Sequence, residues 1–153
     1  MGVITIAEVL RHVEEFEDML ANFYTKLANE TTREGVFLLT DYMSRHRRRT
    51  HRALFELPVE SVERMRRICH TPLRYEPQGL GSRCFDGIEL LPDTTADKVL
   101  DIAIEFDECL VRFYRQVVQQ PVDQEVKTLF ESLICWEQDD EIELKKIKAM
   151  HYF

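Results

Sequence analysis

Residues 15–24 read EFEDMLANFY, and residues 105–114 read EFDECLVRFY. Glu, Phe, an acid, a second acid, Leu and a Phe-Tyr pair recur in one register, 90 residues apart. An internal repeat constrains architecture before any other feature does. With two copies only, the expectation is a duplicated helical hairpin rather than a solenoid. Working outward from the first copy, Val9, Val13, Phe16, Leu20, Phe23 and Leu27 are spaced by alternating fours and threes, one stripe of an α-helix. Around the second copy the same stripe reads Val99, Ala103, Phe106, Leu110, Phe113 and Val117. Thr5 with Glu8 forms a capping-box pattern before the first helix, and Thr94 or Thr95 caps the other just after Pro92.

Two further helical segments follow, about 32–57 and 123–150. Aligned at a separation of 91, Leu38, Tyr42, His46, Arg49 and Ala53 match Leu129, Leu133, Glu137, Asp140 and Leu144. Both sets step by four, four, three and four, so each occupies one helical face. The separation of 91 places a one-residue difference in the hairpin turns. The expected organisation is a single all-α domain over 1–153: hairpin one at about 5–57, a crossover at about 58–95, and hairpin two at about 96–150. The crossover holds four of the five prolines and three of the five glycines, a turn-rich composition. A short helix at 61–69 presents Val62, Met65 and Ile68. A helix of about 25 residues is about 38 Å long, and the crossover is long enough to span it. The third long helix then starts at the opposite end, giving a four-helix bundle with one long crossover. Leu80, Phe85, Ile88, Leu90 and Leu91 suit packing of the crossover on the bundle, or a dimer surface.

The 153 residues, 44% hydrophobic and 31% charged, describe a globular chain with room for one core. The net charge of −8 argues against a general nucleic-acid binder. No apolar run approaches the roughly 18 residues of a membrane span. The first twenty residues show no basic stretch before an apolar one, so a cytoplasmic protein with reduced thiols is expected. Cys69, Cys84, Cys109 and Cys135 form no CxxC pair, which disfavours a zinc knuckle. Cys109 and Cys135 read as packed small side chains.

The two copies and the crossover resemble the ferritin-like superfamily, most closely its rubrerythrin-like branch, over about 110 residues. The resemblance lies in an acid seven residues before the Tyr of a Phe-Tyr pair: Glu17 before Tyr24, and Asp107 before Tyr114. It implies a dimetal carboxylate centre with Glu-x-x-His on the second and fourth helices. The matching positions at a separation of 91 are His46 with Arg49, and Glu137 with Asp140. Two iron or manganese ions want bridging carboxylates with an imidazole on each. This chain departs from that set. Glu17, His46, Asp107, Glu137 and Asp140 remain as candidate metal ligands, whereas a guanidinium at Arg49 cannot ligate.

Two expectations follow. In one, Arg49 replaces the ions in an internal cluster with Asp140, Glu17 and Asp107, and no cofactor is bound. The chain is then a non-catalytic binding or assembly module, with no catalytic residue assigned. In the other, iron or manganese is held, and the chain is an oxidoreductase acting on peroxide, oxygen or iron. Arg45, Arg48 and Arg52 form an outer ridge, solvated or docking to an acidic protein or a second copy. The resemblance suggests a homodimer, and Asp139, Glu141 and Glu143 offer a complementary edge. Tyr24, Tyr114, Phe23 and Phe113 read as core; Trp136 reads as packing or interface, and His51 and His70 as solvated.

Overall fold

The computed structural model describes residues 4–55 and 59–153, with side chains described outside 50–60. Among the described residues the fold is all-helical: α1 (Ile6–Glu30), α2 (Glu34–Phe55), α3 (Val59–Cys69), α4 (Ala96–Val118) and α5 (Gln124–Met150), with a 3-10 turn at Ser82–Phe85. The α1 start uses the expected device: the Thr5 N–H donates to Glu8 Oε2 at 3.0 Å. At α4 the cap is Thr95, whose hydroxyl oxygen accepts from the Lys98 N–H at 3.3 Å.

The stripes expected on α1 and α4 are largely the faces these helices bury. On α1, Val9, Val13, Phe16, Leu20 and Leu27 are buried. Phe23 is half-buried, and its neighbour Tyr24 takes the inward position instead. All six expected positions of α4 are buried, together with Ile102 and Cys109 on one flank of the stripe and Val111 on the other. The connection between α3 and α4 passes Phe106 and Cys109.

Hydrogen bonds fix how that connection travels. The Ile6 N–H donates to the Thr71 carbonyl at 3.0 Å and Leu73 N–H to the Ile4 carbonyl at 2.9 Å, so the end of α3 lies beside the start of α1. The Gln120 amide, at the end of α4, accepts from Arg74 N–H at 2.9 Å and from Tyr75 N–H at 3.3 Å, and donates to the Tyr75 carbonyl at 2.9 Å. One helical turn back, Gln116 accepts from the Gln78 N–H at 2.8 Å and donates to its carbonyl at 2.7 Å. Further back still, the Phe85 ring lies 4.8 Å from that of Phe106. The segment 74–85 therefore runs along α4 against the direction of that helix. The connection ends beside the α1–α2 turn, where the Thr32 N–H donates to the Pro92 carbonyl at 2.8 Å and Arg33 Nε to the Asp93 carbonyl at 2.7 Å.

Leu80, Phe85, Ile88 and Leu90 pack against the core, while Leu91 is exposed. On α3, Ile68 is buried, Met65 packs against the core and Val62 is exposed. Phe85 meets Phe16, Phe23 and Phe106 with ring centroids 4.8–5.8 Å apart, an aromatic group in tilted contacts.

The connection is held by amides that pair with its backbone groups, in part-buried bonds at Gln120 and exposed ones at Gln116. Gln120 is 2% exposed, so removing its side chain strands the groups of Arg74 and Tyr75. Gln120→Ala should lower unfolding free energy by about 1–3 kcal/mol, measured by urea denaturation. An unchanged midpoint would refute this account of the connection.

Candidate functional site

The inward face of α2 decides what sits at the centre. Its buried residues are Val36, Leu39, Thr40 and Met43, whereas Leu38 is 49% exposed and Tyr42 half-buried. Continuing that face by four residues from Met43 reaches Arg47, not Arg49. Arg47 lies among four carboxylates drawn from three other helices. Its Nε donates to Glu17 Oε2 at 2.8 Å, and its Nη2 donates to Glu17 Oε1. Nη1 donates to Asp107 Oδ1 at 3.1 Å and to Glu137 Oε2 at 3.3 Å. Nη2 also donates to Glu137 Oε1 at 3.2 Å, and Asp140 Oδ2 is 3.6 Å from Nη1. The fork is therefore bidentate to two glutamates at once, a geometry that a lysine ammonium does not reproduce.

The side chains of Arg47, Glu17, Asp107, Glu137 and Asp140 are 14%, 18%, 3%, 7% and 11% exposed. His46, on the rim, brings Nε2 to 2.8 Å from Asp140 Oδ1. The tyrosines of the two sequence copies, Tyr24 and Tyr114, are buried against this group. Burial pushes both phenols well above their ordinary value, and the nearby carboxylates add to that.

The structure thus brings together Glu17, His46, Asp107, Glu137 and Asp140, and corrects the expected cation. Arg49 is exposed and stands outside the cluster, beside Tyr42, Trp136, Asp139 and Glu143 in an open groove between α2 and α5. The reason is helical register. Two residues along a helix is a turn of about 200°, so Arg47 and Arg49 point to opposite sides. The informative signal was in the chain: Arg47 and Glu137 are 90 residues apart, the separation of the two sequence copies. Thr40 with Phe130 and Met43 with Leu133 keep it, and all four are buried. An alignment at 91 rotated α2 away from its true inward face. At a separation of 90 Thr50 aligns in sequence with Asp140; its side chain, like those of His51 and Arg52, lies outside the described residues. Arg45 and Arg48 are exposed, Arg45 pairing with Asp41.

Electrostatics follow from four acids sharing few cations. Burial lowers the tendency of Arg47 to hold its charge, but Glu137, Glu17 and Asp107 outweigh it and keep the guanidinium protonated. Burial, then a hydrogen bond with Asp140 and that group's charge, pushes Asp107 up to about 12. Asp107 Oδ2 is buried and accepts no hydrogen bond. The same burial favours the neutral, protonated form of the Asp107 carboxyl. Burial also acts to raise Asp140, but hydrogen bonds from His46 and Asp107 win and hold its carboxylate low. The same Asp140 contact raises His46. Burial raises Glu137 against the pull of Arg47.

A two-ion centre does not fit this donor set. The guanidinium fills the space between the glutamates, and the imidazole at the rim, His46, is already paired with Asp140. Three carboxylates, Asp107, Glu137 and Asp140, do place one oxygen each within 4.8 Å of one another, spacing suited to a single ion. Comparison with protein-family models, curated proteins and solved structures found no match.

Removing Arg47 leaves buried acids without their counter-charge. Arg47→Ala should cost about 3–5 kcal/mol, and Arg49→Ala under about 1 kcal/mol, by chemical denaturation. Equal effects would contradict the assignment. The pH dependence has a definite sign. Asp107 titrates at its ordinary 3.8 when unfolded and near 12 when folded, so the native state holds an extra proton across that span and stability falls as pH rises. The raised His46 acts the same way, its contribution complete below about 6.5 and lost above. Urea midpoints should therefore drop between about pH 6 and 9, and Asp107→Asn should flatten the slope. A stability that climbs over this range would overturn the proton assignment.

Proposed function

We propose that this chain is a ferritin-like four-helix bundle of the rubrerythrin-like kind, built from two duplicated helix pairs, α1–α2 and α4–α5. Its dimetal centre has become an internal ion cluster, and the protein is a non-catalytic binding or assembly module. The observation that carries the reading is Arg47, whose guanidinium bridges Glu17, Asp107 and Glu137 at the meeting of four helices. The duplication is supported by the shared 90-residue separation of Arg47 and Glu137 and of the two sequence copies. Under that alignment Arg47 and Thr50 replace the Glu and His of one helix, and Asp140 replaces the other His. A fixed cation then gives the bundle the charge balance that ions supply in the family it resembles, without loading or redox change.

The working surface under this reading is the outer side of α2 and α5. Arg45, Arg48 and Arg49 are exposed on one helix, and Asp139, Ile142 and Glu143 on the other. An edge of each sign on one molecule suits a two-fold homodimer, and the basic edge alone suits an acidic protein. Among the described residues, no helix is long and apolar enough to cross a membrane. A cytoplasmic location is part of the proposal.

A second reading has its own support. The Asp107, Glu137 and Asp140 oxygens are close enough to share one ion of iron or manganese, with an oxidoreductase role as its consequence. Elemental analysis separates the two. After incubation with Fe(II) or Mn(II) and desalting, the parent protein should retain well under one ion per chain. Arg47→Glu/Thr50→His, which restores the Glu-x-x-His pattern, should retain metal where the parent does not. One or more ions per parent chain would reverse the order of the two readings. For the surface, Arg45→Glu/Arg48→Glu should shift sedimentation from dimer towards monomer; an unchanged dimer would remove that ridge from the interface.

A further inference from the structure

The ordered contacts of the connection along α4 bring two cysteines together. Gln120 holds 74–75, Gln116 holds Gln78, and Phe106 meets Phe85. Between the last two rungs, Cys84 of the 3-10 turn has Cys109 of α4 as its neighbour. Phe85 follows Cys84 by one residue and Phe106 precedes Cys109 by three, so the 4.8 Å contact of those rings brings the two cysteines to one level of α4. The Cys84 thiol donates to the Gly79 carbonyl at 3.2 Å. Cys109 Sγ accepts from Arg112 Nη2 at 3.4 Å. Cys109 is 9% exposed and Cys84 half-buried, but Arg112 is exposed, so the sulfurs lie just beneath the surface. Both thiols are free.

We propose that Cys84 and Cys109 form a redox-active dithiol that closes to a disulfide on exposure to hydrogen peroxide, fastening the connection to α4. The reaction balances in two steps. Cys109 Sγ, beside the Arg112 guanidinium, attacks one peroxide oxygen. An S–O bond forms, the O–O bond breaks, and the departing hydroxide takes the thiol proton as water. Cys84 Sγ then attacks Cys109 Sγ. The S–S bond forms, the S–O bond breaks, and the second hydroxide leaves as water with the Cys84 proton. Two thiols are oxidised by two electrons in all, and one peroxide is reduced to two waters. The roles follow from the contacts. The Arg112 guanidinium lies 3.4 Å from Cys109 Sγ, while burial and the adjacent Cys109 push the Cys84 thiol up to about 12, suiting it to the second step. Cys69 is on α3, and Cys135 is exposed on α5.

The test is peptide mapping of the folded chain after one equivalent of hydrogen peroxide. Thiols titrated in denaturant should fall from four to two per chain, and dithiothreitol should restore them. Tryptic digestion without reductant should yield peptide 84–98 joined to peptide 99–112. Cys69→Ser/Cys135→Ser should leave this linkage intact. Cys84→Ser should abolish it and leave a sulfenic acid at Cys109 that dimedone captures. Thermal unfolding of the oxidised chain should rise by roughly 5–10 °C. Four surviving thiols, a linkage through Cys69 or Cys135, or oxidation of each sulfur to sulfinic acid without a linked peptide would each overturn the proposal. Because the mapping is done on the parent chain, its outcome does not depend on any variant folding.

Discussion

One guanidinium carries the charge balance at the centre of this protein. At Arg47, α1, α2, α4 and α5 all meet through charged contacts. Four acids and one arginine cannot all be ionised in a dry interior without a large desolvation cost. Two features reduce that cost: burial favours a neutral Asp107 carboxyl, and His46 supplies an imidazole from the rim to Asp140. Charge state and helix position are consequently coupled. Displacing α2 would remove the counter-charge from three other helices together.

The apolar surroundings reinforce the arrangement. Asp107 follows Phe106 directly on α4, and Phe106 is the hub of the aromatic group that includes Phe16, Phe23 and Phe85. The connection that supplies Phe85 is thereby part of the wall behind the acids. Tyr24 and Tyr114 add buried rings that stay neutral beside the acids. A low-dielectric shell of this kind strengthens the arginine contacts and penalises any unpaired acid.

Much of the helical layout was legible in the residues, because α1 and α4 bury strongly apolar stripes whose period admits one solution. The acids Glu17 and Asp107 were legible because each copy carries an acid seven residues before the Tyr of its Phe-Tyr pair. α2 was harder to read. It is polar, with a run of Arg and His from Arg45 to Arg49, and Leu38 and Tyr42 offered a false apolar edge that turned out exposed or half-buried. Its true face begins at Val36 and passes through a threonine, Thr40, before reaching Arg47. Hydrophobicity alone cannot choose between such faces. The constant 90-residue spacing could have, had it been held through α2. The nearness of Cys84 to Cys109 was not legible at all, since it depends on the path of a non-periodic segment whose register is set by two glutamine side chains.

Those glutamines make the two halves of the molecule answer to different solvents. The contacts of Gln116 and Gln120 are neutral amide pairs, closed rings of donor and acceptor on the main chain. They carry no formal charge, so acidity and electrolyte leave them largely untouched. The Arg47 centre is made of charged and titratable groups and feels both. A molecule assembled this way has its strap on one dial and its heart on another, and can loosen at the centre while the outer wrap stays fastened.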